Sequence, residues 1–186
     1  MPRLDDDSGS AAAPTEDPDP TQSLLVEYVS EAGDWSAIGD AAEILAPVLV
    51  AVGGRTELLK FMPAEACVAF TDDAAMRRLN GHFRGKDKPT NVLSFPSGIP
   101  VVEGERRSLG DIVLGCETVM REAPEQGIAP ADHLRHLVLH GLLHLMGYDH
   151  ESDSDAEVME ALEIAILAQL GIANPYEEAA DALAPQ

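Results

Sequence analysis

The stretch from Pro130 to Met146 constrains this chain more than any other. Leu134, Leu137, Val138, Leu139, Leu142, Leu143 and Leu145 cover most of a helix circumference, so the helix belongs inside a core. Its polar exceptions are His133, His136, His140 and His144, spaced three, four and four apart in one stripe. Imidazoles on the inner face of a buried helix cost stability unless something satisfies them, and a metal ion would.

Residues four apart lie one turn, ~6 Å, from each other, so either His136/His140 or His140/His144 can converge on one ion. His136 and His144 are two turns apart, ~12 Å, and cannot share it. The residues just beyond the helix decide the choice. Gly147 is placed to take the left-handed conformation that ends a helix and reverses the chain, which returns His150 to the helix end. His-x3-His-x2-Gly-x2-His is also the spacing by which metzincin proteases assemble three histidines on zinc. Three neutral nitrogen donors leave a fourth position for water, the catalytic arrangement. His140, His144 and His150 are therefore the expected ligands, for zinc first and for nickel or another divalent ion on the same donors. His133 and His136 are expected on the helix surface or behind the ligands.

Metzincins carry their glutamate base directly after the first histidine. Here that residue is Gly141, which cannot take a proton, so the peptidase route is disfavoured. Glycine also costs a helix roughly 1 kcal/mol relative to alanine, so close packing or room near the metal is expected at this position. Asp149 is read either as a partner of a histidine or as a tight-turn residue.

The rest of the chain alternates between strand and helix signals. Strands are expected at 24–29, 67–70, 92–95 and 111–114, and helices at 37–52, 72–80, 117–126, 130–146 and 155–170. Ser154 with Glu157 reads as the capping box of the last helix. The fold class expected is α+β: a central mixed sheet of about four strands packed with about five helices, the metal site at the end of a buried helix. Residues 1–23 read as a disordered acidic tail, 24–172 as a single catalytic domain, and 173–186 as a loose C-terminal segment.

No apolar run approaches the ~20 residues of a membrane span. No basic segment followed by an apolar stretch opens the chain, and Cys67 and Cys116 have neither metal-ligand nor redox spacing. A cytoplasmic chain with two reduced core cysteines is expected. The net charge of −21 is at first sight wrong for a nucleic-acid enzyme. Yet residues 77–107 hold seven basic residues (Arg77, Arg78, Arg84, Lys86, Lys88, Arg106, Arg107) against three acidic ones. Such a stretch is either a local phosphate-binding patch or an ordinary solvated loop.

The run from His140 to His150 (HGLLHLMGYDH) closely resembles the signature of the YbeY family, bacterial endoribonucleases of ribosomal RNA maturation. The segment from Leu79 to Pro96, including Phe83-Arg84-Gly85-Lys86-Asp87-Lys88-Pro89-Thr90-Asn91, resembles a second motif of that family, and Leu109-Gly110-Asp111-Ile112 a third. The resemblance implies an α+β fold, a zinc ion on the three histidines, and single-strand-specific RNA cleavage. It places that cleavage in 3′-end maturation of small-subunit ribosomal RNA and in ribosome quality control, with the ribosome, a ribosomal protein or an assembly GTPase as partners. It also carries a functional arginine onto Arg84, where a planar bidentate donor would stabilise charge on a phosphate. Asp111 is a candidate for proton transfer or for holding Arg84, and equally an ordinary strand-start residue. Lys86, Lys88, Thr90 and Asn91 are candidate RNA contacts. Two rivals stand beside this reading: a metal hydrolase of another substrate class, and a non-enzymatic ribosome assembly factor with a structural metal.

Overall fold

A computed structural model describes residues 23–176. Most of the expected acidic tail and the last ten residues lie outside that range.

Four strands form one mixed sheet: β1 (Leu24–Ser30), β2 (Ala64–Thr71), β3 (Val92–Pro96) and β4 (Arg107–Gly115). Their order is β1-β2-β4-β3, with β1, β2 and β4 parallel and β3 antiparallel at the edge beside β4. Five α-helices accompany them: α1 (Ala41–Gly53), α2 (Asp73–Arg84), α3 (Cys116–Glu125), α4 (Pro130–Leu145) and α5 (Asp153–Gln169). The α+β class and the strand and helix numbers are as expected. A 3-10 helix over Thr56–Phe61, which the sequence patterns left unassigned, leads into β2.

Strand alternation sorts the side chains. Ala64, Ala66, Val68 and Phe70 of β2, with Ile112 and Leu114 of β4, are buried in one core with α1, α4 and α5. The opposite face carries Cys67, Ala69, Asp111 and Val113, and α2 covers part of it, with Phe83 edge-on to Phe95 at 4.8 Å. Both cysteines are free; Cys116 is buried, whereas Cys67 sits half-exposed on that second face rather than in the core.

Element ends follow capping chemistry more closely than apolar periodicity did. The first helix starts at Ala41 rather than residue 37, because Asp40 accepts from the backbone N–H groups of Ala42 and Glu43. The last helix starts two residues early for the same reason. Ser152, not Ser154, is its cap, accepting from Asp155 N and donating to the Asp155 carboxylate. The helix α4 opens on Pro130 with no side-chain cap at Ala129. No helix among the described residues is long and apolar enough to cross a membrane.

The histidine helix lies directly on the sheet, and Gly141 is why it can. A Cβ built there would stand 2.9 Å from Ile112 Cδ1 and 3.1 Å from both its γ carbons. Ile112 is fully buried and has little room to yield. Gly141→Ala should therefore destabilise by roughly 1 kcal/mol net, since overpacking of about 1–3 kcal/mol outweighs the gain of about 1 in helix propensity. Urea unfolding should show this, with part of the loss recovered when Ile112→Val is added.

Candidate metal centre

His140 and His144 project from one face of α4, and their Nε2 atoms stand 3.1 Å apart. The helix ends at Leu145. Gly147 then turns the chain with φ +86°, a left-handed conformation that a side chain would resist. The reversal lays His150 beside the other two rings, 5.7 Å from the His140 centroid and 5.1 Å from that of His144. One nitrogen from each histidine falls within 4.8 Å of the others.

The outer nitrogens decide what the inner ones can do. His140 Nδ1–H donates to Glu163 Oε1 at 2.7 Å, and His144 Nδ1–H donates to the carbonyl of Tyr148 at 3.0 Å. These acceptors assign both protons to Nδ1 and leave a lone pair on each Nε2. Two lone pairs 3.1 Å apart repel; a cation between them turns the repulsion into two bonds. The donor set thus fits a divalent ion. Burial, reinforced by the neighbouring His140 and His150, also pushes the His144 imidazole below its ordinary pKa, towards the neutral form a metal needs.

Glu163 of α5 is fully buried and anchors this arrangement. It also accepts from the Tyr176 hydroxyl, and His136 Nε2 stands 3.6 Å from its Oε2. Burial alone would raise this carboxyl, but the contacts from His136, His140 and Tyr176 outweigh it and lower the pKa to about 2. Tyr176 packs edge-on to His136 at 6.2 Å.

The three histidines open into a cleft of about 380 Å³, walled by Arg84, Thr90, Asn91, Val92, Ser94, Asp149 and Glu151. A further lobe of about 200 Å³ continues it past Pro96, Gly147 and Tyr148. Arg84 arrives from the other side of the sheet: α2 covers the second face, and its last residue reaches round the β3 edge. Asn91 lines the cleft but is committed. Its Nδ2 donates to Glu122 Oε2 at 2.8 Å, its Oδ1 accepts from Val92 N, and the same Glu122 oxygen holds His133 Nε2 at 3.0 Å. Asp149 also lines the cleft, and its Oδ1 accepts from Glu151 N in a tight turn.

The structure does not bring every candidate together. Asp111 follows Gly110 in β4 and precedes the core residue Ile112, so alternation sends it to the opposite face, beside Cys67, Phe83 and Phe95. It neither borders the metal nor holds Arg84. Lys86 and Lys88 are exposed on the loop after α2, outside the cleft wall. The basic stretch also divides. Arg77 is bound to Asp87 through two contacts of 2.6 and 2.7 Å, while Arg107 opens β4, Arg106 just precedes it, and neither lines the cleft. Sequence reasoning missed Glu163, Glu122, Tyr176 and Ser94. Glu163 had a signal: it lies among the buried Met159, Leu162, Ile166 and Leu167 at helical spacing, an acid on an apolar face.

Comparison with known proteins sets this geometry in context. The family model described as "Endoribonuclease YbeY" matches residues 40–171. A protein of that name from Chelativorans sp. is 49% identical over 154 residues, covering 82% of this chain and 93% of the relative. Another from Methylocella silvestris is 46% identical over 165 residues, covering 87% and 93%. A third, from Rhodospirillum rubrum, is 50% identical over 157 residues, covering 79% and 78%.

If Glu163 orients His140, its removal should weaken the ion without removing a ligand. Glu163→Ala is expected to lower divalent-ion affinity about 10–100-fold, and Tyr176→Phe to lower it less. Competition with a chromophoric chelator measures both, and unchanged affinity in folded Glu163→Ala would refute the role.

Proposed function

The chain belongs to the YbeY endoribonuclease family, and from that membership we propose that it is a metal-dependent, single-strand-specific endoribonuclease of small-subunit ribosomal RNA 3′-end maturation and ribosome quality control. The observation that carries the reading is the convergence of three imidazole nitrogens on a cleft that also holds Arg84. In this reading residues 24–172, extended by the Tyr176 contact, are the catalytic unit. The protein works in the cytoplasm, on the ribosome, with a ribosomal protein or an assembly GTPase as a partner.

His140, His144 and His150 hold the ion, zinc in this proposal. A metal bound there would supply Lewis acidity and a more acidic water. The remaining work falls to the chain's own side chains. Arg84 is in no ion pair among the described residues, so its planar guanidinium is free to donate to two oxygens of a phosphate as charge builds on it. Glu163 and the Tyr148 carbonyl fix the tautomers of His140 and His144, so both present lone pairs inward. Asp149 and Glu151 are the carboxylates on the cleft wall, and a proton released there has them as acceptors. Asn91, tied to Glu122, holds the β3 wall in place. Asp111 has no part in the reaction, because it faces away from the cleft.

Arg84→Ala should keep its metal and lose about 10²–10³-fold in cleavage of single-stranded RNA. His144→Ala should lose both the metal and the cleavage while remaining folded. Elemental mass spectrometry alongside a labelled-RNA assay reads both variants. Cleavage that persists in metal-free His144→Ala would mark contamination and leave a non-enzymatic assembly role ahead.

A further inference from the structure

Among the described residues, Arg55, Arg77, Arg121 and Arg135 are each in an ion pair with a carboxylate. Lys60 and Arg107 are in none, although the chain carries a net charge of −21. They rest instead on aromatic rings. Lys60 Nζ lies 5.0 Å from the Phe61 ring centre and 5.8 Å from that of Tyr148, and the Arg107 guanidinium lies 5.3 Å from the Phe61 ring. The two rings are 6.3 Å apart. Tyr148 joins this cluster to the metal centre. Its carbonyl orients His144, and it borders the lobe that Arg84 and Pro96 also line.

Through Tyr148, carboxylate-free cations thus stand on two sides of the cleft. Arg84, Lys86 and Lys88 stand at the end of α2, and Lys60 and Arg107 stand beyond Tyr148. We propose that Tyr148, Phe61, Lys60 and Arg107 form a second subsite for single-stranded RNA, taking the nucleotides to one side of the phosphate held at the metal. The inference rests on the endoribonuclease reading and names the substrate's path through the same site. Single-stranded RNA is the occupant that uses both halves of the cluster. Its phosphates attract the cations, and its unstacked bases match the ring faces. Lys60 is solvent-exposed and only weakly held over these partly buried rings, so it can pass to a phosphate and free ring surface for a base. A duplex hides its base faces, and an acidic peptide has none to offer.

The test uses the full chain and fluorescein-labelled single-stranded RNA oligonucleotides of increasing length, with anisotropy read across a salt series. In Lys60→Ala/Arg107→Ala the Kd for the longer RNAs should rise roughly ten-fold at about 0.1 M salt. The slope of log Kd against log salt should fall by about 1.4, the loss of two single-strand phosphate contacts. Lys60→Arg/Arg107→Lys should restore both, and Phe61→Leu should weaken binding roughly five-fold with the slope unchanged. Wild-type Kd and slope in a double-alanine variant that melts like wild type would overturn the subsite. So would a polyglutamate peptide that competes as well as RNA of equal charge, or a wild type that binds no single-stranded RNA. Platform-dependent binding without cleavage by wild type would keep the subsite and remove the endoribonuclease reading, so the two fail separately.

Discussion

The hydrogen bond from His140 Nδ1 to the buried carboxylate of Glu163 is the interaction on which the site depends. A charged carboxylate with no exposure is costly unless several donors answer it, and here they come from α4, through His136 and His140, and from Tyr176 in the C-terminal segment. The low pKa of Glu163 expresses that balance: desolvation works against the charge, and the surrounding donors prevail. The same bond places the proton of His140 on its outer nitrogen and its lone pair on the inner one. Ligand chemistry at the cleft is therefore set by an acid behind it, and α5 is needed for the site although it supplies no ligand.

The sheet does the remaining positioning. Strand alternation places Ile112 against α4 and Asp111 on the other face, so residues adjacent in sequence serve opposite sides of the molecule. Gly141 lets α4 approach Ile112 closely, which brings His140 and His144 near the β3 edge. Because β3 is an edge strand, α2 can pack on the far face and still deliver Arg84 into the cleft from its last turn. A central strand in that place would have blocked the reach.

What was legible in the sequence was whatever depends on local period or short-range turns. The three candidate ligands are legible from one helix repeat and one left-handed glycine, both covalently local. The role of Gly141 was half-legible: the missing base is a matter of residue type, while its packing partner lies 29 positions away in another element and is seen only in space. Of the two readings of Asp111, strand parity favours the ordinary strand residue, since it puts the side chain on the face away from the cleft. The links from Glu122 to Asn91 and His133, and from Glu163 to Tyr176, are long-range pairings between ordinary polar residues. No periodicity announces them. The cap of α5 was misread because two serines stand two residues apart, and only the backbone direction tells which one precedes the helix.

The charge of the chain ceases to be a paradox once the cations are sorted by partner. Screening at physiological salt confines an exposed charge to ~8 Å, so acidic residues beyond that range barely weaken a phosphate held in the cleft. What matters is which cations near the cleft already have a carboxylate. Arg77, the most tightly paired of the basic stretch, braces the loop after α2 through Asp87 and offers little to a ligand. Arg84 inside the cleft has no such partner, nor do Lys60 and Arg107 beyond Tyr148. Acidic surface away from the cleft offers phosphates no foothold and so lowers non-specific binding. The unpaired cations act only on a strand already lying in the groove. Selectivity in such an arrangement comes from the small number of contacts permitted to form, and the aromatic rings beside the free cations favour a strand whose bases are not already stacked on each other.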